Sequence, residues 1–383
     1  MTDGAPPASG WRAPLAVSLD VSAVPTAPGG AGRYVVDLAT ALSLLDDLSL
    51  TLVCRHDDTD RWRDVARGAT AVGAAPAARP LRLAWEQLRL PSLLQDLHPD
   101  VHHGPHYTMP RRAPSPVVVT VHDLSLIEHP EWHQRTKVAF FGRALRLAAA
   151  RADALVAVSR ATAERVAAVL DPMAPVHVVP HGVDHDRFRP GPVDGDEESL
   201  GRLGVRTPYV LFLGTLEPRK DVPTLVHAFD RLASARPEIG LVLAGGPGWG
   251  LEAVDAALGA SPVANRILRL GYVADDDVGP LLRGAAAVAY PSLEEGFGLP
   301  ALEALACGAP LVTTSGTAME EVADGAALLV RPGDVSGLAA ALESVLDGGD
   351  KVSARRRDGL AVAARYTWAA SAAAHAAVYR SVV

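Results

Sequence analysis

The chain has 383 residues, of which 49% are apolar and 21% charged, and its formal net charge is -8 at pH 7. At about 150 residues per domain this length favours two domains, and the composition is typical of a folded globular protein rather than a disordered one. The acidic balance disfavours a dedicated nucleic-acid binder, so no nucleic-acid partner is expected.

Several further classes of protein are disfavoured by simple features. The only cysteines, Cys54 and Cys307, lie far apart and without a CxxC spacing, so neither a disulfide framework nor a structural zinc site is expected. Residues 1–10 lack the basic and apolar regions of a signal peptide. No uncharged apolar run approaches the ~18 residues of a membrane-spanning helix. A cytoplasmic protein is therefore expected.

Short apolar runs alternate with longer alanine-rich amphipathic stretches, which predicts an α/β fold with parallel sheets. The predicted strands are 15–19, 50–54, 117–121, 154–158 and 176–179, then 209–213, 241–244, 267–270, 286–290, 311–314 and 327–330. Between the two sets, segment 189–199 is rich in proline, glycine and acidic residues and is predicted to be a linker. We predict two doubly wound domains, 1–195 and 200–365, with the ligand in the cleft between them at the carboxyl ends of the strands.

A small-residue loop precedes the first predicted helix. Gly29, Gly30 and Gly32 stand just before an amphipathic helix predicted over 34–45. Such a loop lets backbone amides approach an anionic ligand at the start of a helix. An ordinary tight turn has the same composition, so this loop alone decides nothing.

Two predicted helices of the first half carry arginines beside large apolar residues. Segment 81–90 has an apolar side and a polar side, formed by Leu81, Trp85 and Leu88 and by Arg82, Glu86 and Arg89 respectively. Segment 135–151 carries several cations together with Phe140 and Phe141. Either helix could rest on an anionic membrane and serve a lipid-linked acceptor. The favoured alternative is that both pack on the sheet with their arginines in water.

Polar side chains follow two of the predicted strands. His122 comes directly after strand 117–121, where an imidazole can donate or accept a proton near neutral pH. Arg219 and Lys220 follow Gly214 beyond strand 209–213, in a chain that otherwise uses arginine almost exclusively. Together these two cations could neutralise a diphosphate leaving group. The alternative is a solvated pair balanced by nearby carboxylates.

The segment after strand 286–290 combines a glycine-spaced loop with a helix opened by Pro300. Gly296 and Gly298 would let backbone N–H groups approach a ligand, and the start of the helix favours phosphate. Glu295 and Glu303 would repel a phosphate but are good acceptors for sugar hydroxyls. The combination predicts a nucleotide-sugar site. The alternative is that Glu303 only complements the helix dipole and Glu295 is solvated.

These motifs, in this order, resemble those of the retaining glycosyltransferases of family 4, which have the GT-B fold. The resemblance rests on Gly-Gly-Ala-Gly-Arg-Tyr at 29–34, Val-His-Asp-Leu at 121–124, Val-Ser-Arg-Ala-Thr at 158–162, Pro-His-Gly-Val-Asp at 180–184, Leu-Gly-Thr-Leu-Glu-Pro-Arg-Lys at 213–220 and Glu-Gly-Phe-Gly-Leu-Pro-Ala-Leu-Glu at 295–303. It spans about residues 15–380. Trp-Glu-Gln at 85–87 is most similar to bacterial mannosyltransferases of polysaccharide or glycolipid assembly. The resemblance implies two Rossmann-like domains facing a cleft and a terminal helix, 366–383, that crosses back onto the first domain.

The resemblance also implies roles for individual residues. Glu295 would hold the hydroxyls of the donor sugar, Glu303 the ribose, and Arg219 with Lys220 the diphosphate. His122 would lie against the donor sugar. The remaining donor-binding set would be Gly30, Gly32, Gly214, Tyr272, Val273, Gly296, Phe297, Gly298 and Leu299. Two positions depart from the family pattern, since Thr215 stands where many members have arginine and His181 where asparagine is commoner.

The predicted activity is transfer of a hexose from a nucleotide-sugar, GDP-mannose first, to a hydroxyl of a glycan, a lipid-linked or a small-molecule acceptor. Retention of anomeric configuration and independence of a metal are expected, because the cations can stabilise the leaving group and no Asp-x-Asp motif stands out. No cofactor is expected. A sugar-nucleotide epimerase or a phosphorylase on the same fold is an alternative.

A dinucleotide-dependent dehydrogenase or a non-catalytic nucleotide-binding protein is a further alternative, suggested by the glycines of segment 245–250. Their spacing is not G-x-G-x-x-G, and the next predicted strand ends without an acidic residue for a ribose. Both features disfavour this alternative.

Overall fold

The computed structural model describes residues 13–383. The segment in which no signal peptide is predicted, and the start of the first predicted domain, lie outside the described residues. No helix within the described part is long and apolar enough to cross a membrane.

The first half of the chain forms a parallel sheet covered by helices. Its strands are β1 (Leu15–Asp20), β2 (Leu48–Arg55), β3 (Thr70–Ala75), β4 (Val101–Gly104), β5 (Val117–Val121), β6 (Ala154–Ala157) and β7 (Val176–Val178), in the order β3-β2-β1-β4-β5-β6-β7. Its helices are α1 (Gly30–Leu42), α2 (Thr59–Val65), α3 (Arg79–Leu88), α4 (Leu90–Leu97), α5 (Ser125–Glu128), α6 (Arg135–Arg151) and α7 (Arg160–Leu170).

The second half repeats this plan. Its strands are β8 (Tyr209–Leu213), β9 (Gly240–Ala244), β10 (Ile267–Gly271), β11 (Ala287–Tyr290), β12 (Leu311–Thr314) and β13 (Leu328–Val330), in the order β10-β9-β8-β11-β12-β13. The helices are α8 (Asp196–Arg202), α9 (Val222–Ala235), α10 (Glu252–Ala260), α11 (Asp275–Gly284), α12 (Leu299–Ala306), α13 (Ala318–Ala323), α14 (Val335–Leu346), α15 (Asp350–Ala363) and α16 (Trp368–Ser381). The predicted α/β architecture of two doubly wound domains is confirmed.

Every predicted strand is present, but β3 and β4 were missed. β3 (Thr70–Ala75) is made mostly of small residues, and β4 (Val101–Gly104) contains two histidines, so neither forms an apolar run. Both histidines of β4 are nevertheless buried and paired, because His102 bonds Ser18 at 2.9 Å and His103 bonds Thr120 at 2.8 Å. The predicted linker is also shorter than 189–199, since α8 begins at Asp196. Carboxylates fill the first turn of α8, where they complement the helix dipole.

The two helices considered for membrane contact differ in orientation. α6 packs in the ordinary way, with Leu145 buried and its terminal arginines exposed. In α3 the favoured alternative, packing on the sheet with the polar side in water, is wrong for most of the helix: Leu81 and Leu88 are 62% and 74% exposed, whereas Glu86 is buried. Burial raises the pKa of Glu86 to about 8, and the charge of Asp20 acts in the same direction. Helical period alone could not show which side meets the sheet.

The last helix, α16, completes the core of the first domain by packing on α1. A continuous series of hydrogen bonds, 2.8 to 3.0 Å long, leaves α16 at Tyr379 and returns to it at His375. Between these two residues it passes through His103 of β4, Thr120 of β5 and Tyr34 of α1, and His375 then bonds the carbonyl of Ser371. Because a carbonyl only accepts, His375 donates from Nδ1 and accepts at Nε2 from Tyr34. Burial lowers the pKa of His375 to about 4, so this imidazole is neutral. The crossing helix is thus joined to the sheet by satisfied buried polar groups.

The chain crosses back at a close backbone contact, which yields a stability prediction. A Cβ on Gly182 would lie 2.2 Å from the backbone nitrogen of Trp368, where α16 begins. We expect Gly182→Ala to displace that helix and to lower the thermal midpoint, since overpacking typically costs ~1 to 3 kcal/mol. Gly201→Ala is the matched control, because a Cβ there has nothing within 4 Å and lies inside α8. Equal midpoints for the two variants would contradict this account of the crossing.

Candidate active site

A cavity of about 280 Å³ lies in the cleft where the carboxyl ends of the two sheets meet. Most of the predicted site residues line it, namely Gly30, His122, Gly214, Arg219, Lys220, Glu295, Gly296, Phe297, Gly298 and Leu299. They come from loops that the sequence separates widely and that parallel strands bring to one edge. The structure therefore gathers the predicted constellation in a single interdomain cavity.

Glu295 forms a buried ionic cluster with the two predicted phosphate-binding cations. Its Oε2 accepts a hydrogen bond from Arg219 Nη1 at 2.9 Å, and its Oε1 accepts one from Lys220 Nζ. Burial by itself would raise the pKa of Glu295, but the two positive charges outweigh burial and lower it to about 2. The carboxylate is therefore ionised at neutral pH. The two cations and the carboxylate are thus hydrogen-bonded to one another.

The second predicted carboxylate, Glu303, lies behind the cavity rather than on its wall. It is 2% exposed, and its Oε1 accepts a hydrogen bond of 2.5 Å from Nη2 of Arg33 on the first domain. Its Oε2 is buried and has no hydrogen-bond partner among the described residues. Burial raises the pKa of Glu303, and the charge of Arg33 opposes this rise. Arg33 and Glu303 thus form an ion pair across the cleft.

Arg33 was missed as a functional residue although it belongs to the quoted glycine-rich motif. It sits in the first turn of α1, whose start was predicted too late in the chain, and so its side chain was not placed at the cleft. A basic residue directly after a glycine-rich loop was the available signal. What the sequence could not show is that its partner lies in the other domain.

His122 is held in one tautomer at the cavity wall. Its Nε2 is 2.9 Å from the carbonyl of Pro105, which can only accept, so Nε2 carries the proton and Nδ1 is an acceptor. Burial lowers the pKa of His122, which keeps the ring neutral. His106 and Tyr107 lie against it and also line the cavity. Both were missed because they follow β4, which the sequence did not reveal as a strand.

His181, which replaces the commoner asparagine, also lies on the cavity wall. Its ring contacts Phe297 and Tyr34, with centroids 4.5 Å from each. Burial lowers its pKa well below the usual range, so the ring is neutral. Its buried Nδ1 has no hydrogen-bond partner among the described residues. The departure from the family pattern therefore retains a polar side chain on the cavity wall.

Two glycines at the site are required by close packing of the backbone. A Cβ on Gly296 would lie 1.6 Å from the carbonyl oxygen of His122, and the Gly296 carbonyl accepts hydrogen bonds from Ser159 and Thr162 at 2.7 and 3.0 Å. The loop between β11 and α12, here called the donor loop after its predicted role, therefore packs closely against the first domain. Similarly, a Cβ on Gly245 would lie 1.9 Å from Gly214 O, so packing against the loop after β8 requires this glycine.

Three predicted donor-binding residues lie away from the cavity wall, in addition to Glu303. Tyr272 and Val273 follow β10, where Tyr272 is 61% exposed and Val273 is buried. Gly32 lines a neighbouring cavity of about 90 Å³ instead. Within residues 13–383, no group of three or more histidines, cysteines or acidic residues is arranged to hold a metal ion.

Comparisons with known proteins agree with this geometry. A family model described as "Glycosyltransferase Family 4" matches residues 28–187, and one described as "Glycosyl transferases group 1" matches residues 207–348. The O-antigen chain mannosyltransferase B of Escherichia coli is 30% identical over 296 residues, which are 76% of this chain and 74% of that protein. The MMP alpha-(1->4)-mannosyltransferase of Mycolicibacterium hassiacum is 35% identical over 213 residues, which are 54% of this chain and 49% of that protein.

Solved structures share the fold at low sequence identity. The sucrose-phosphate synthase of Thermosynechococcus elongatus has a TM-score of 0.79 at 19% identity and covers 97% of this chain and 99% of its own. Anabaena HepE, solved with UDP-glucose, has a TM-score of 0.74 at 19% identity, and the match covers 95% of this chain and 99% of that chain. Two Rossmann-like domains, a cleft that gathers the family motifs and a relative matched over three quarters of the chain make this protein a glycosyltransferase that belongs to family 4.

Proposed function

We propose that the protein transfers mannose from GDP-mannose to an acceptor hydroxyl, with retention of anomeric configuration and without a metal ion. The observation that carries the proposal is the buried cationic pair, Arg219 and Lys220, at a cavity that also holds the carboxylate of Glu295. The choice of mannose is supported by the two mannosyltransferases among the relatives. The choice of GDP is a further part of the proposal.

Donor binding is proposed to exchange partners within the ionic cluster. Arg219 and Lys220 turn from Glu295 to the diphosphate, while Glu295 accepts hydrogen bonds from hydroxyls of the donor sugar. Because every charge has a partner before and after this exchange, no isolated buried charge is created. Glu303, which has one free oxygen, is proposed to accept a ribose hydroxyl beside its ion pair with Arg33.

The cations also provide the proposed catalysis. Negative charge grows on the diphosphate as the glycosidic bond breaks, and Arg219, Lys220 and the start of α12 stabilise it. The acceptor hydroxyl attacks from the same face of the sugar, and its proton passes to the departing phosphate oxygen. Glu295 then orients the sugar and is not a nucleophile. A diphosphate leaving group needs no general acid, so the two-carboxylate mechanism of glycosidases is not required.

The proposed reaction predicts a defined product and a defined ligand preference. GDP and GDP-mannose should raise the thermal midpoint more than UDP and UDP-glucose, because only a bound ligand stabilises the native state. With GDP-mannose and a sugar acceptor, NMR should show an α-linked mannoside, formed at an unchanged rate in excess EDTA.

Each part of this proposal has its own contrary outcome. A β-linked product would contradict retention, and loss of activity in EDTA with recovery on adding Mg²⁺ or Mn²⁺ would contradict the metal-free account. A preference for UDP would overturn the donor. Formation of an isomeric nucleotide-sugar without an acceptor would indicate an epimerase instead, and a requirement for inorganic phosphate would indicate a phosphorylase.

Glu295 and Glu303 are predicted to bind different parts of the donor, the sugar and the ribose respectively. Glu303→Ala should weaken both GDP and GDP-mannose, because each contains the ribose. Glu295→Ala should weaken GDP-mannose, but GDP should bind as well as or better than it does to the native protein, since the variant releases two cations for the diphosphate. Each loss should be at most a few kcal/mol. Calorimetric titration of both variants with both ligands measures this division, and equal losses of the two ligands in Glu295→Ala would rule out sugar binding by that residue.

We further propose that α3 contacts the inner face of an anionic membrane. Leu81 and Leu88 are exposed on it, and its only acidic residue, Glu86, is buried. The exposed Arg111 and Arg112 lie beside the helix, because the Arg111 N–H is bonded to the Gln87 side chain at 3.1 Å. Apolar residues flanked by cations fit an anionic lipid surface.

Vesicle sedimentation tests this contact. The protein should sediment with vesicles that contain phosphatidylglycerol and much less with pure phosphatidylcholine, and added salt should weaken binding. The double variant Leu81→Glu, Leu88→Glu should remain in the supernatant. Leu44→Glu, at another exposed apolar residue, serves as control. Unchanged sedimentation of the double variant would exclude α3 as the contact.

A further inference from the structure

A second cavity adjoins the donor cavity within the first domain. Its volume is about 90 Å³, and it is lined by Asp20 at the end of β1 and by the glycine-rich loop and start of α1. Ala31 and His106 line both cavities, so the two cavities are adjacent at these residues. A ligand that extends from the second cavity therefore reaches the place where the donor sugar is proposed to lie.

The polar groups of this second cavity are a carboxylate and an imidazole. Asp20 Oδ1 accepts a hydrogen bond from the backbone N–H of Ser22 at 2.9 Å, which fixes the carboxyl group at the edge of the sheet. Burial lowers the pKa of His106 to about 3, so this ring is neutral, and its Nδ1 has no partner among the described residues. Both groups can form hydrogen bonds with hydroxyls of a ligand.

The remaining wall is apolar and carries no cation. It is formed by small and apolar residues, namely Ala23, Val24, Pro25, Ala31, Gly32, Val35 and Pro105. Burial raises the pKa of Asp20, while hydrogen bonds from Ser22 and the charge of Arg82, which does not line the cavity, oppose this rise. A phosphate placed here would face the Asp20 carboxylate with no cation on the cavity wall, whereas the C–H faces of a sugar ring fit the apolar wall.

We propose that the second cavity is the acceptor subsite and that Asp20 binds a hydroxyl of an uncharged sugar residue there. This inference rests on the proposed sugar transfer and adds the chemical class of the acceptor. Asp20 holds the acceptor through a charge-assisted hydrogen bond, and His106 contacts it at the junction with the donor. The cavity takes one edge of the sugar ring, and the rest of that ring lies at the junction. Acceptors phosphorylated on the bound sugar are rejected by the carboxylate.

Acceptor kinetics and donor hydrolysis test the subsite separately from the donor site. The native protein is assayed with methyl α-mannoside, methyl α-glucoside and methyl α-galactoside and with their 6-phosphates. Hydrolysis of GDP-mannose without acceptor is measured in parallel. We expect the neutral glycosides to have at least tenfold higher kcat/KM. Asp20→Asn should raise KM for the neutral acceptor about ten- to hundredfold, because a charge-assisted hydrogen bond is lost. Donor hydrolysis should not change.

Controls separate the role of Asp20 from a general effect on folding. Asp60→Asn removes a carboxylate that is 93% exposed and should leave both rates unchanged. Asp20→Ser is a second variant for use if Asp20→Asn does not fold, and the preference of the native protein is measured without any variant.

Four results would overturn the proposal. They are equal use of neutral and phosphorylated acceptors, hydrolysis of the donor with transfer to none of the neutral glycosides, an unchanged acceptor KM in Asp20→Asn, and a parallel loss of donor hydrolysis in that variant. Failure of the native protein to hydrolyse or transfer from any nucleotide-sugar would instead contradict the proposed function itself.

Discussion

The buried carboxylate of Glu295 and its two cations impose the constraint on which the cleft depends. A carboxylate that is only 9% exposed needs opposite charges or hydrogen-bond donors beside it, and leaving it with neither is strongly destabilising. The short turn 218–220 after β8 places Arg219 and Lys220 against the loop after β11 for this purpose. In the proposed donor complex the same cations bind the diphosphate, and sugar hydroxyls replace them at Glu295. Stability of the free protein and the proposed donor binding thus depend on the same groups.

Polar contacts of the donor loop and its neighbours fix the two domains against each other. The carbonyl of Gly296 is held by hydroxyls of the first domain, and the carboxylate of Glu321 in α13 accepts hydrogen bonds from the N–H groups of Arg160 and Ala161 at 3.0 and 3.1 Å. These N–H groups stand at the start of α7, where a carboxylate is favoured by the helix dipole. Together with the ion pair between Arg33 and Glu303, these contacts define the width of the cleft.

The electrostatic character of the cleft changes from one domain to the other. The wall of the second domain offers two cations and a carboxylate, which fits a ligand with both phosphates and hydroxyls. The smaller cavity of the first domain offers Asp20 and neutral histidine, which fits hydroxyls alone. Burial keeps the histidines of this region uncharged, so they add hydrogen-bonding capacity without adding positive charge. This difference is compatible with the proposed charged donor and neutral acceptor.

The sequence by itself determined the α/β class, the two doubly wound domains and most of the residues that line the interdomain cavity, because these depend on local patterns. β-branched runs such as β5 (Val117–Val121) and the loop with Glu295 can be recognised within one segment. Only the tertiary structure decided which groups meet. It paired Arg33 with Glu303 across the cleft, buried His103 of β4 beneath α16, and turned Glu86 of α3 inward. A hydrogen bond or an ion pair between distant segments leaves no periodic trace in either segment, so its partner appears only when the chain has folded.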